Sequence, residues 1–249
     1  MNFGVDPHMA TNAAGRLNSE RRFYMGMALF MIVVVFIGFA PSFYLRGLVH
    51  VPRPNAPLTP LVMFHGAMFT LWMATFATQA GLVAAGRRDL HMRLGMFGMV
   101  LAVLLIPLMY VTAVAAVARA TQPPFTTPLA WTAVPLFDIP VFAVLLYLGW
   151  KHRRIPQAHK RLMLCAALVM MDPAIGRLPV PPSLLTHAML NALAWSTMIP
   201  LIVHDRRTIG RLHWATRTGM ALFAAALTLK LFALASPAWS AFAAHLPGV

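Results

Sequence analysis

The stretch HGAMFTLWMATFATQAGLVAAGRRDLHMRLG, residues 65–95, decides the fold. It opens on His65, stays apolar to Ala85, turns through Gly86, Arg87, Arg88 and Asp89, and enters a second apolar run behind His91 and Arg93. An apolar run of about 20 residues crosses the ~30 Å hydrocarbon layer as a helix, because only a helix satisfies its own backbone there. The stretch is therefore a membrane hairpin with a basic turn. Two later segments echo it. His187 opens an apolar run that ends in HDRRTIGRLHWATR (204–217), and the two His-to-Leu-His intervals are equal, 91 − 65 = 26 and 213 − 187 = 26. In KHRRIPQAHKRLM (151–163), His159 heads another apolar run, so three helices begin with His close to Arg or Lys.

Composition extends this reading to the whole chain. The 249 residues are 59% hydrophobic and 10% charged, whereas soluble domains carry about a quarter charged residues. No length of chain is left over for a soluble domain. The net charge of +14 would suit a nucleic-acid binder if it formed one patch, but the basic residues fall in short turns between apolar runs. That is the pattern of membrane topology and of contact with anionic lipid head groups, with no nucleic-acid partner. The single cysteine, Cys165, excludes an internal disulfide and a thiolate metal cluster. Walker A, GxSxG, HExxH and GxGxxG signatures are missing.

The fold predicted is all-α, a polytopic bundle of seven transmembrane helices. A mobile cytoplasmic tail takes residues 1–22, the bundle residues 23–235, and a short periplasmic tail residues 236–249. The helices cover about Phe23–Phe39, Leu61–Ala85, Arg93–Ala118 with a kink at Pro107, Trp131–Trp150, Leu162–Ile175, Ser183–Val203 and Trp214–Ala235. The fifth is short and interrupted by Asp172-Pro173. Pro-rich loops HVPRPNAPLTP, TQPPFTTP and LPVPP join them. Fifteen Lys and Arg side chains fall in the tail and the turns near 87, 155 and 207, against Arg46, Arg53, Arg119 and Arg177 on the other side. The positive-inside rule puts the N-terminus in the cytoplasm and the C-terminus outside, in a bacterial inner (plasma) membrane.

Polar residues within a bilayer are costly, and by default they mark function. At ~1.5 Å per residue, one layer in the outer half gathers His65, His187, Asp138, Asp172, Arg177 and Lys230, with Tyr110 and Asn191 near it. A b-type haem would take His65 and His187 as axial metal ligands from facing helices, with Gly66 and Ala188 making room and Arg177 or Lys230 beside the propionates. Asp138 and Asp172 would move protons as the catalytic carboxylates, or simply neutralise Lys230 and Arg177. A second haem between His91 and His213 would complete a relay across the membrane. The competing account makes both ordinary anchors for lipid phosphates.

The run of residues 65–95 resembles an uncharacterised group of bacterial multi-pass membrane proteins, at His65, Gln79, Leu90, His91, Arg93 and Gly95; here Met92 separates His91 from Arg93. The group implies no established activity. Histidine pairs at two depths are also similar to those of transmembrane di-haem b cytochromes, which implies haem b and electron transfer, from a quinol or to a periplasmic redox partner. Two alternatives stay open: a cofactor-free transporter or small-molecule binding membrane protein using the same polar cavity, and a scaffold subunit of a larger membrane complex.

Overall fold

The computed structural model describes residues 7–48, 57–120, 122–123, 126–180 and 186–249, with the side chains of 7–16 and of His187 outside that description. Among the described residues the chain is all-helical, without strands. The helices are α1 (Pro7–Phe39), followed by a π turn at Ala40–Tyr44, α2 (Pro60–Ala84), α3 (Arg88–Arg119), α4 (Pro128–Trp131), α5 (Ala133–Lys151), α6 (Pro156–Val169), α7 (Asp172–Ile175), α8 (His187–Ser196), α9 (Ile199–Ile209), α10 (Trp214–Leu234) and α11 (Pro237–Ala243).

Local chemistry sets these ends. Thr59-Pro60, Thr127-Pro128 and Ser236-Pro237 repeat one device: the hydroxyl accepts an N–H of the first turn, and the proline fills a position that needs no donor. The turn after α2 and the end of α9 pass through left-handed Gly86 and Gly210, at φ 76° and 71°, a conformation cheap only for glycine. Proline also makes the breaks. Pro173 cannot donate to the carbonyl of Val169, where α6 stops, and Pro200 cannot donate to that of Ser196, where α8 stops. Residues Pro7–Arg22, within the stretch expected as a mobile tail, are helical and form the first turns of α1. Ala, Leu, Glu and Arg are strong helix formers there, and Glu20 pairs with Lys160.

Among the described residues, five segments are long and apolar enough to cross a membrane: Leu17–Tyr44, Pro60–Ala84, Arg88–Arg119, Pro128–Lys151 and Trp214–Leu234. The chain therefore fits a multi-pass membrane protein. At 14 residues, α6 is only ~21 Å long. It is also the centre of the molecule. Leu164 to Val169 are fully buried without a break, on every side of the helix, as expected of a helix enclosed all round. Helices α5 and α10 flank it, α3 packs on α5 and α2, α2 packs on α1, and α1 packs on α7.

Small residues permit that enclosure, as they do between membrane helices generally. A Cβ on Gly219 of α10 would lie 2.4 Å from the Cys165 sulfur, and one on Gly38 of α1 would lie 2.3 Å from the Ala174 carbonyl oxygen. Gly26, by contrast, has nothing within 4 Å of such a Cβ. Gly219→Val should therefore cost about 1–3 kcal/mol by overpacking, read as a lower melting temperature in detergent. Gly26→Ala should hold or raise it, by at most ~1 kcal/mol of helix propensity.

Candidate functional site

The buried face of α5 runs Ala133, Asp138, Val141, Phe142, Leu145 and Leu146, a helical repeat in which one position that should be apolar is a carboxylate. The buried stripe of α10 runs Thr216, Gly219, Phe223, Ala226, Lys230 and Ala233, and there an ammonium takes the apolar place. The two intrusions meet. Lys230 Nζ lies 2.5 Å from Asp138 Oδ1, both side chains 3% exposed, and it also donates to Asp172 Oδ2. Asp172 reaches the same point because the proline break sets it at the head of α7. Its other oxygen, Oδ1, is buried without a hydrogen-bond partner. One ammonium thus faces two carboxylates.

Arg177, expected beside a carboxylate or a propionate, donates instead to the Pro173 carbonyl at 2.8 Å and stacks over the Phe39 ring at 4.9 Å. Tyr110 donates to the Pro247 carbonyl at 3.0 Å.

At the opposite end of the bundle lies a constellation that sequence reasoning missed. Arg161 of α6, 1% exposed, uses all three guanidinium nitrogens. Nε and Nη2 reach Asp205 Oδ1 at 2.8 and 2.6 Å, and Nη1 donates to the Gln157 carbonyl and side-chain oxygens at 2.9 and 2.6 Å. Asp205 Oδ2 accepts from the His213 N–H at 2.9 Å and from Thr216 Oγ1 at 2.6 Å. One clasp therefore ties α6, α9 and the start of α10. Burial pushes the Asp205 carboxyl up, but these donors outweigh it and hold it below the ordinary carboxylate range. The one signal in the sequence is an acid standing alone in the basic run HDRRTIGR.

His213 has a structural task. Its Nδ1 accepts the Ala215 N–H at 3.1 Å and so caps α10, and burial, helped by the charge of Arg161, holds the ring below the usual histidine pKa. The ring that faces His91 belongs to His159, with centroids 6.3 Å apart and planes at 84°. His159 Nδ1 bonds the Gly149 carbonyl at 2.9 Å. His91 Nδ1 and both amide atoms of Gln79 are buried without partners.

Helix α2, with His65, packs on α1 and α3, whereas α8, with His187, packs on α7 and α10. The space beside Gly66 holds the Phe43 ring, 2.5 Å from where a Cβ would stand, and the His65 ring leans on Phe69 at 4.6 Å. The Phe43 ring thus fills the room that Gly66 was expected to leave for a macrocycle. Comparison with family models, curated proteins and solved structures found no match, so the geometry alone carries the functional reading.

Removing the ammonium should be far worse than removing the whole centre. Lys230→Met strands two buried carboxylates and should cost about 3–5 kcal/mol, whereas Lys230→Met with Asp138→Asn and Asp172→Asn should recover most of it; detergent melting curves read both. The Asp205 clasp predicts a pH dependence of stability. Because its folded pKa is depressed, its contribution is complete above the unfolded value of ~3.9 and is lost as pH falls through the folded value. Asp205→Asn should flatten the melting profile over that acid range.

Proposed function

We propose that this chain is a cofactor-free transporter of a bacterial inner membrane that carries protons across it, with Asp138, Asp172 and Lys230 as its proton-exchanging centre. One observation carries the reading: two carboxylates share one buried ammonium. With all three ionised the centre holds a net charge of −1 in a low-dielectric interior, where an uncompensated charge costs several kcal/mol and groups change protonation rather than stay bare. A proton restores neutrality, and Asp172 Oδ1, buried and without a partner, is the oxygen placed to hold it. Lys230 stays charged and both carboxylates stay paired, so one proton enters and leaves without dismantling the centre.

The surroundings support movement. Asp172 stands at the break between α6 and α7, and a second break separates α8 from α9. In membrane proteins such interruptions line cavities and binding sites. In the orientation given by the basic turns, with seven crossings in which α6–α7 and α8–α9 are the broken ones, the centre lies toward the periplasm and the Arg161–Asp205 clasp toward the cytoplasm. Asp138 and Asp172 accept the proton, Lys230 sets their affinity, and the clasp anchors the cytoplasmic end of α6 while its other end moves.

Electron transfer through a b-type haem has one observation in its favour, the buried, unpartnered Nδ1 of His65. A reduced haem spectrum that disappears in His65→Ala would favour that second reading.

In proteoliposomes with a trapped pH dye and an imposed potential, the wild type should take up protons several-fold faster than Asp172→Asn or Asp138→Asn. Equal rates in wild type and variants would overturn the proposal.

A further inference from the structure

We infer that His91 and His159 form a two-coordinate site for Cu(I) at the basic end of the bundle, separate from the Asp138–Lys230–Asp172 centre. The argument begins with the ring separation. With metal–nitrogen bonds of ~2.0–2.1 Å, each imidazole centroid stands ~3.2 Å from a shared ion. Two rings on opposite sides of it are then ~6.4 Å apart, and two at the tetrahedral angle ~5.2 Å. The observed 6.3 Å matches the separation of two imidazoles on opposite sides of an ion, and it exceeds that of a tetrahedral pair.

The nitrogens are prepared for it. A carbonyl only accepts, so the His159 Nδ1 bonded to Gly149 must carry the proton, which leaves Nε2 with the free lone pair. Fixing one nitrogen on a backbone carbonyl is how proteins orient metal-bound histidines. On the facing ring, His91 Nδ1 is buried without a well-formed hydrogen bond, and the backbone group that interacts with this ring is that of Gln79.

The surroundings select the ion. Among the described residues, no cluster of three or more His, Cys, Asp or Glu side chains gathers to hold a metal. The charge of Arg88 also acts on His91. A tetrahedral divalent ion lacks both its further ligands and its counter-charge here. Cu(I) is content with two imidazoles and adds one positive charge beside Arg88 rather than two, so coordination number and charge favour it over the divalent ions that imidazole also binds. The Met163 sulfur packs on Gly149, the residue whose carbonyl fixes His159, so a thioether stands next to the site.

The test is an anaerobic Cu(I) titration of the tag-free, detergent-purified chain against a chromogenic chelator, with copper X-ray absorption on the loaded protein. One Cu(I) with two nitrogen scatterers is expected. His91→Phe and His159→Ala should each weaken binding by ~100-fold or more while keeping the wild-type size-exclusion profile. His152→Ala and Asp172→Asn should bind as the wild type does, and the latter separates failure of this site from failure of the proton centre. Absence of stoichiometric Cu(I), or binding that neither histidine variant weakens, would overturn the assignment. So would haemin binding with low-spin bis-imidazole bands that both variants abolish, which would give the pair to haem iron.

Discussion

A lysine ammonium with two carboxylates in the apolar core is the constraint on which the rest of the structure depends. None of these groups is tolerable there alone, and together they still leave one charge too many. The pairing dictates that α5, α10 and the α6–α7 junction converge at one point. If a proton balances that charge, as proposed, the charge balance of this point depends on something that can leave. Stability and exchange are thus properties of the same three side chains.

The frame around the triad is built to hold α6 between two polar fastenings. At one end Arg161 is satisfied at every nitrogen by Asp205 and Gln157. At the other, the chain breaks after Val169 and delivers Asp172 to Lys230. Between them lies a fully buried apolar stretch that α10 approaches through Gly219. A short helix fastened by the clasp at one end is broken at the other, and the broken end carries the proposed proton-exchanging centre. The His91–His159 pair sits at the locked end, so an ion held there would stiffen the fixed part of the molecule.

Much of this was legible before any coordinates. The apolar runs, the basic turns and the Asp172-Pro173 break follow from hydrophobicity and from proline's missing N–H, which are local properties. The shared depth of Asp138, Asp172 and Lys230 followed from helix rise alone. Partner choice did not. Arg161 and Arg154 look alike in a basic run, and only the docking of the α9 terminus buries one of them. The equal intervals from His65 to His91 and from His187 to His213 describe likeness between two hairpins, not contact, and across the bundle the ring facing His91 is that of His159. Matched depth likewise gives the height of His65 and His187 in the membrane and not the packing of their helices, and α2 and α8 pack against different partners.

The central claim is that the Asp138–Lys230–Asp172 centre carries a proton at neutral pH. Infrared difference spectroscopy of the membrane-reconstituted chain across a pH titration reads this directly, through the carbonyl stretch of a protonated carboxylic acid. The account predicts such a band at neutral pH, which shifts in deuterium oxide and disappears in Asp172→Asn. A wild-type spectrum without a protonated carboxylic acid at neutral pH would contradict it, and the three side chains would then be no more than a fastening between helices.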